Sequence, residues 1–84
     1  KVMKTLVDQY TEEGKIEKDR DARLLQTHLT SLDHYVKKDS LGKADKHMKG
    51  LKQLVKKYQE DGQMDKEAAQ TLVRHADNLI KQWQ

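Results

Sequence analysis

The chain has 84 residues with no cysteine, no proline and no phenylalanine, and 37% of its residues are charged. A chain of this length builds one modest core, and the absence of cysteine excludes disulfides and thiolate metal sites. Its apolar runs are too short to cross a bilayer, so no membrane-spanning helix is predicted. The composition favours helices and disfavours strands.

Charge is distributed unevenly along the chain. Residues 1–39 carry eight basic and eight acidic side chains, residues 40–58 carry six lysines against the single Asp45, and residues 59–84 carry three basic and five acidic side chains. The formal net charge of +3 therefore resolves into 0, +5 and −2 for the three segments. The middle segment is the basic part of the chain.

An internal repeat with an offset of 48 positions relates residues 4–35 to residues 52–83. Eight positions are identical in the two copies: Lys4/Lys52, Leu6/Leu54, Val7/Val55, Tyr10/Tyr58, Glu12/Glu60, Gly14/Gly62, Lys18/Lys66 and Leu24/Leu72. Positions that differ often stay apolar, as in Ile16/Met64 and Tyr35/Trp83. The repeat predicts two similar packing units in which Leu6/Leu54 and Leu24/Leu72 are equivalent core positions.

The first copy predicts a helical hairpin over about residues 1–37. Its first helix carries an apolar stripe made of Met3, Leu6, Val7 and Tyr10. Gly14 follows at the position where a residue with positive φ ends a helix. The second helix is predicted over residues 18–37, with Leu24 and Tyr35 flanking a stripe made of Ala22, Leu25, Leu29, Leu32 and Val36.

The second copy predicts another hairpin over about residues 40–84. Asp39 and Ser40 suit the N-cap of its first helix, whose stripe consists of Ala44, Met48, Leu51, Leu54, Val55 and Tyr58. Gly62 ends that helix, and Asp65 caps the next one with Met64 placed to staple its entry. The last stripe consists of Ala69, Leu72, Ala76, Leu79, Ile80 and Trp83.

Four amphipathic helices joined by short loops predict an all-α fold, an antiparallel four-helix bundle made of two similar helical hairpins. We expect residues 1–84 to form a single domain. The alternative is an extended array of stacked hairpins, which usually needs three or more units. Two hairpins favour the closed bundle.

The candidate binding surface lies on the third helix, where six lysines occupy the half opposite the apolar stripe: Lys43, Lys46, Lys49, Lys52, Lys56 and Lys57. A polyanion such as a nucleic acid, a teichoic acid or a sulfated glycan would bind there through counterion release. The surface has no arginine for bidentate phosphate contacts and no interleaved aromatic for base stacking. The alternative is a solvated helix face whose lysine stems shield the core.

The sequence predicts no catalytic, cofactor-binding or metal-binding residue. The four histidines, His28, His34, His47 and His75, lack the i, i+4 spacing of a helical zinc site. His28 and His47 fall at the edges of apolar stripes, which indicates half-buried rings. Tyr35 and Trp83 are expected at one end of the bundle, either packed there or exposed as an aromatic pair for a partner or a sugar ring.

Several successive motifs together resemble the FIMAH-type helical domain over nearly the whole chain: Leu6-Val7, Tyr10, Gly14-Lys15-Ile16, Leu24-Leu25, Leu41-Gly42-Lys43-Ala44, Leu54-Val55, Tyr58, Gly62-Gln63-Met64, Leu72-Val73 and Leu79-Ile80. Such domains are found, usually near the C-terminus, in secreted and cell-surface hydrolases of Gram-positive bacteria, including nucleotidases and nucleases. The resemblance implies a non-catalytic accessory module that acts as a spacer or an interaction domain. It implies no catalytic residue.

Lys1 already lies inside a helical pattern, so we expect the chain to be a fragment of a larger multidomain protein. The parent is expected to be a secreted or cell-surface hydrolase, and the module a monomer whose partners are neighbouring domains of the same polypeptide. A cell-wall polyanion is the alternative partner. A third hypothesis is an intracellular helical regulator that dimerises through an exposed apolar stripe.

Overall fold

Four helices make up the computed structural model, which describes residues 2–83. They are α1 (Val2–Glu12), α2 (Asp19–Lys37), α3 (Leu41–Glu60) and α4 (Lys66–Trp83). Apart from one isolated β-bridge, no strand pairing occurs in the described part of the chain. The predicted all-α class is confirmed. None of the described helices combines the length and the apolar character that crossing a membrane requires.

The helices form a closed ring in which α1 packs on α2, α2 on α3, α3 on α4, and α4 back on α1. The loop between α2 and α3 has three residues, far too few to span the length of either helix, so consecutive helices are antiparallel. The Cα framework measures 34 × 17 × 17 Å. The closed four-helix bundle is therefore observed, and the extended array is excluded.

The core runs along the bundle axis and draws on all four helices. Leu25, Met48 and Leu72 are its largest fully buried side chains, and the repeat-equivalent pair Val7 and Val55 is also fully buried. These residues belong to the stripes that the sequence predicts. Leu6 and Leu54, another identical pair, both lie partly buried against this core.

The two loops that connect the helices within each hairpin meet at one end of the bundle. Ile16 and Met64 form an antiparallel bridge there, and both side chains are buried. The Glu17 N–H donates to the Gln63 carbonyl oxygen at 3.0 Å, and the Asp65 N–H donates to the Lys15 carbonyl oxygen at 2.8 Å. The two bonds are equivalent in the repeat, which pairs Glu17 with Asp65 and Lys15 with Gln63.

Positive backbone φ values end the first three helices. Gly14 and Gly62 have φ values of 75° and 76°, as the sequence predicts, because glycine has no Cβ to clash there. Asp39 takes the equivalent position after α2 with φ 62° and is the one other described residue in this region. It therefore terminates α2 and is not an N-cap.

The predicted N-caps differ in what they do. Asp65 caps α4, because its carboxylate accepts a hydrogen bond from the Ala68 N–H at 3.1 Å. Ser40 occupies the N-cap position of α3, but its side chain makes no capping hydrogen bond. The prediction of a capping side chain is therefore right for α4 and wrong for α3.

Leu24 and Leu72 are not equivalent core positions, contrary to the prediction from the repeat. Leu72 is 1% exposed, whereas Leu24 is 44% exposed and Leu25 lies in the core beside it. The two helices therefore present different faces to the core.

This difference between α2 and α4 arises because α4 has small residues at positions where α2 has large polar ones. Ala68 and Ala76 of α4 are buried, and the repeat aligns them with Arg20 and His28 of α2. Alanine allows close approach and carries no polar group, whereas an arginine or histidine resists burial. α2 is consequently rotated so that Ala22 and Leu25 enter the core.

Val36 belongs to the predicted stripe of α2, but its predicted burial is wrong, since it is 41% exposed. It lies on the core-facing side of α2 near the C-terminal end of that helix, together with Leu29 and Leu32. Val2 of α1, which is 61% exposed, lies at the edge of the same region. Val36 therefore faces an open groove.

Candidate interaction surfaces

Four of the six predicted lysines form a free basic surface on α3. Lys43, Lys46, Lys56 and Lys57 are exposed, and none of them forms an ion pair with a described residue. We call these four the basic surface. Their ammonium groups are hydrated point charges on flexible stems, which attract anions without fixing their orientation.

The other two predicted lysines are paired with carboxylates. Lys49 Nζ lies 3.0 Å from Asp45 Oδ2, one turn away on α3. Lys52 is half-buried at the edge of α3 that faces α4, where it pairs with Asp77. Lys52 therefore joins the two helices of the second hairpin. Its repeat equivalent Lys4 also pairs across its own hairpin, with Asp33 at 3.5 Å.

A cluster of aromatic rings lies between α2 and α3. The ring centroids of His28 and His47 are 6.1 Å apart, and those of Tyr35 and His47 are 5.0 Å apart. All three side chains are partly buried. The three rings pack against one another in tilted orientations at the junction between the two hairpins. Sequence spacing places both histidines at stripe edges but does not bring them together.

Tyr35 and Trp83 do not form an aromatic pair. Tyr35 contacts His34 and His47 on the α2–α3 side, whereas Trp83 lines a groove beside α1, α2 and α4. Both are half-buried against the core. Of the two alternatives for Tyr35 and Trp83, packing near the helix ends agrees with the structure, and an exposed aromatic pair does not.

A buried carboxylate occurs where the sequence analysis predicts no site. Asp21, in the first turn of α2, is 3% exposed, its Oδ1 lies 3.7 Å from the Nε of Arg20, and its Oδ2 has no hydrogen-bond partner. Burial raises the pKa of Tyr58 above its ordinary value of 10.0, and the nearby Asp21 charge raises it further, while Arg20 lowers it. The sequence gives no sign of this buried carboxylate, which only the position of Asp21 in the structure reveals.

A groove of about 620 Å³, lined by several apolar side chains, lies near the C-terminal ends of α2 and α4. Met48 of α3 forms part of its floor, and its walls include Leu32 and Val36 of α2 and Leu79 and Trp83 of α4. Val2 and Met3 close it at the α1 side. We call this opening the α1-end groove. No sequence motif predicts it, because side chains from all four helices line it.

Within residues 2–83, no group of three or more histidine or acidic side chains is placed to hold a metal ion. Among the described residues, Asp21 is the one buried charged side chain. The basic surface on α3 and the α1-end groove are two candidate interaction surfaces of the described residues.

Comparison with protein families identifies the class of domain. The FIMAH domain model matches residues 1–81, so almost the entire bundle is covered. The chain is an accessory helical domain, and it belongs to the FIMAH domain family. A comparison with curated proteins and another with solved structures each found no match.

Proposed function

We propose that this domain is a non-catalytic accessory module of a larger secreted or cell-wall-associated hydrolase of a Gram-positive bacterium, such as a nucleotidase or nuclease. It acts as a spacer or interaction domain that positions the catalytic domains relative to the cell envelope. The family match over residues 1–81 is the observation that carries this proposal. A small bundle with a filled apolar core suits that role.

The arrangement of the side chains supports the assignment of the chemistry to other domains. An enzyme needs a concave site in which polar groups converge, and the α1-end groove is instead walled mainly by apolar side chains. The buried Asp21 lies among packed residues at the start of α2 and does not line this groove. The module therefore contributes surfaces for packing and binding.

The size and location of the native polypeptide test this proposal. An antibody raised against residues 1–84 should detect, in the source organism, a polypeptide much larger than the 9.8 kDa of this chain. Fractionation should place that polypeptide in the medium or the cell wall, and its coding sequence should include a hydrolase domain. A free 9.8 kDa protein confined to the cytosol would contradict the proposal.

The basic surface favours a second candidate function, which is binding of a cell-wall polyanion, a nucleic acid or a glycan. Residues 40–58 carry a net charge of +5, and four exposed lysines there have no carboxylate partner among the described residues. Such a surface releases condensed counterions from a polyanion, so its affinity falls steeply with salt. Without arginine or interleaved aromatics, it would select charge density over sequence.

Heparin chromatography with two matched quadruple variants tests this candidate. Replacing Lys43, Lys46, Lys56 and Lys57 by glutamine should abolish retention at moderate salt. The control variant replaces four other exposed lysines and loses the same charge: Lys18, Lys38, Lys66 and Lys81. Equal retention of both variants would show that net charge alone is responsible, and would exclude the basic surface as a site.

A further inference from the structure

The α1-end groove continues an interface that the bundle already contains. Helix α1 packs against both α2 and α4, and its Met3 is buried at the near end of the groove. Beyond Met3 the same two helices extend further, and three apolar residues that line the groove stay exposed or partly exposed: Val36, Leu79 and Trp83. Val2 and Val36, two of the three most exposed large apolar residues, lie there.

The repeat shows what covers the equivalent region in the second hairpin. Alignment of the two copies pairs Val2 with Gly50, so residues 41–48 of α3 have no counterpart in α1. In α3 these residues make up about two helical turns. They place Ala44 and Met48 in the core, where both are at most 1% exposed. A four-helix bundle with even ends would have a similar segment over the groove.

We propose that the α1-end groove binds a helical segment of the parent polypeptide that lies outside residues 1–84 and continues α1 by about two turns. This inference rests on the proposed role of the domain as a module of a larger protein. The segment has apolar side chains at the positions equivalent to Ala44 and Met48, one small and one long. They pack against Val36, Leu79 and Trp83, and the segment thereby couples the module to the domain before it.

A grafted chain tests what the groove accepts. The sequence of residues 40–48 is placed directly before Lys1, which keeps the repeat register because Lys1 is equivalent to Lys49. The graft should raise the folding equilibrium constant at least about tenfold, since burial of one methionine side chain contributes that much. The fluorescence of Trp83, the only tryptophan, should shift to shorter wavelength as the groove fills.

Two controls separate groove packing from helix extension alone. In the first, the grafted copies of Ala44 and Met48 are glutamine, and the tenfold gain should disappear. In the second, Val36→Asp in the grafted chain should cancel the gain, whereas Leu24→Asp should not. Val36 and Leu24 have similar exposures of 41% and 44%, but only Val36 lines the groove. Equal stabilisation by the apolar and glutamine grafts would overturn the inference.

The full parent polypeptide provides the direct test of the occupant. Limited proteolysis should find the residues immediately before Lys1 protected, and Val36→Asp should expose them to cleavage while Leu24→Asp leaves them protected. Protection that is absent, or that is unaffected by Val36→Asp, overturns the inference. Dimerisation of the 84-residue chain that Val36→Asp abolishes would assign the groove to a second copy instead. The proposed function is tested separately by the size and location of the parent polypeptide, and neither of these results changes them.

Discussion

Ile16 and Met64, which occupy the same position in the two copies of the repeat, meet each other across the end of the bundle. They form the one β-bridge among the described residues, and both side chains are buried. Reciprocal hydrogen bonds from the Glu17 and Asp65 N–H groups flank them. The sequence repeat is thus expressed in the structure as a local two-fold relationship, and it joins the two hairpins at their loops.

The contact between Ile16 and Met64 predicts a coupled loss of stability. Each change to alanine should lower the free energy of unfolding by about 2–4 kcal/mol, because each removes a buried side chain from the loop junction. The double variant should lose less than the sum of the two single variants by at least about 0.5 kcal/mol, since both changes remove the same contact. Urea unfolding followed by far-UV circular dichroism measures all four species. Strict additivity would show that the two side chains pack independently.

The rotation of α2 relative to α4 predicts that two identical residues respond differently to the same substitution. Leu72→Ala should cost about 2–5 kcal/mol because Leu72 is fully buried. Leu24→Ala should cost less than about 1 kcal/mol, because much of Leu24 is already in contact with water. Urea midpoints of the two variants provide the comparison. Similar losses would show that the two hairpins bury equivalent faces after all.

The backbone at Asp39 predicts a stabilising substitution. Asp39 has a φ of 62°, a conformation that glycine adopts without the steric cost that a Cβ imposes. Asp39→Gly should therefore raise the free energy of unfolding by about 0.5–1 kcal/mol. The neighbouring Lys38 has an ordinary φ of −87°, so Lys38→Gly should lower it by a similar amount. Thermal unfolding of both variants distinguishes this account from a general effect of loop flexibility.

The environment of Tyr58 predicts a specific loss of stability at alkaline pH. Burial, followed by the charge of Asp21, raises the pKa of Tyr58 in the folded state above 10.0. Because the folded state holds this proton more tightly than the unfolded state, the contribution to stability is complete below pH 10.0 and declines as the pH rises through the folded pKa.

Tyr58→Phe removes this titrating group, so its free energy of unfolding should decline less between neutral and alkaline pH than that of the unmodified chain. Asp21→Asn should lower the folded pKa of Tyr58, and absorbance titration of tyrosinate detects that shift. An alkaline decline that is the same with and without the Tyr58 hydroxyl would show that other groups control stability there.

The helices and their ends could be predicted because the signals that specify them are local. Apolar spacing of three and four identified the stripes, and Gly14 and Gly62 marked two helix ends through a backbone conformation that other residues avoid. The end of α2 carried no such mark, because aspartate occupies the position. Periodicity also could not distinguish Leu24 from Leu72, since the rotation of α2 follows from packing against the other helices.

The candidate surfaces were predictable only in part, for a related reason. Sequence periodicity placed six lysines on the outer half of α3, but only the position of α4 shows that Lys52 pairs with Asp77. The exposure of Val36 likewise depends on what lies opposite it, and the sequence predicted a core position. The sequence predicted which side chains share a face of one helix, but it did not predict contacts that depend on how two helices pack together.

The activity of the parent enzyme with and without residues 1–84 tests the proposed accessory role most directly. We expect kcat/KM on a small soluble substrate to stay within about twofold, because the proposed role assigns the chemistry to the other domains of the polypeptide. Retention of the enzyme on purified cell walls should fall when the domain is removed. A loss of more than about tenfold in kcat/KM, with the remaining domains still folded by thermal unfolding, would contradict the account.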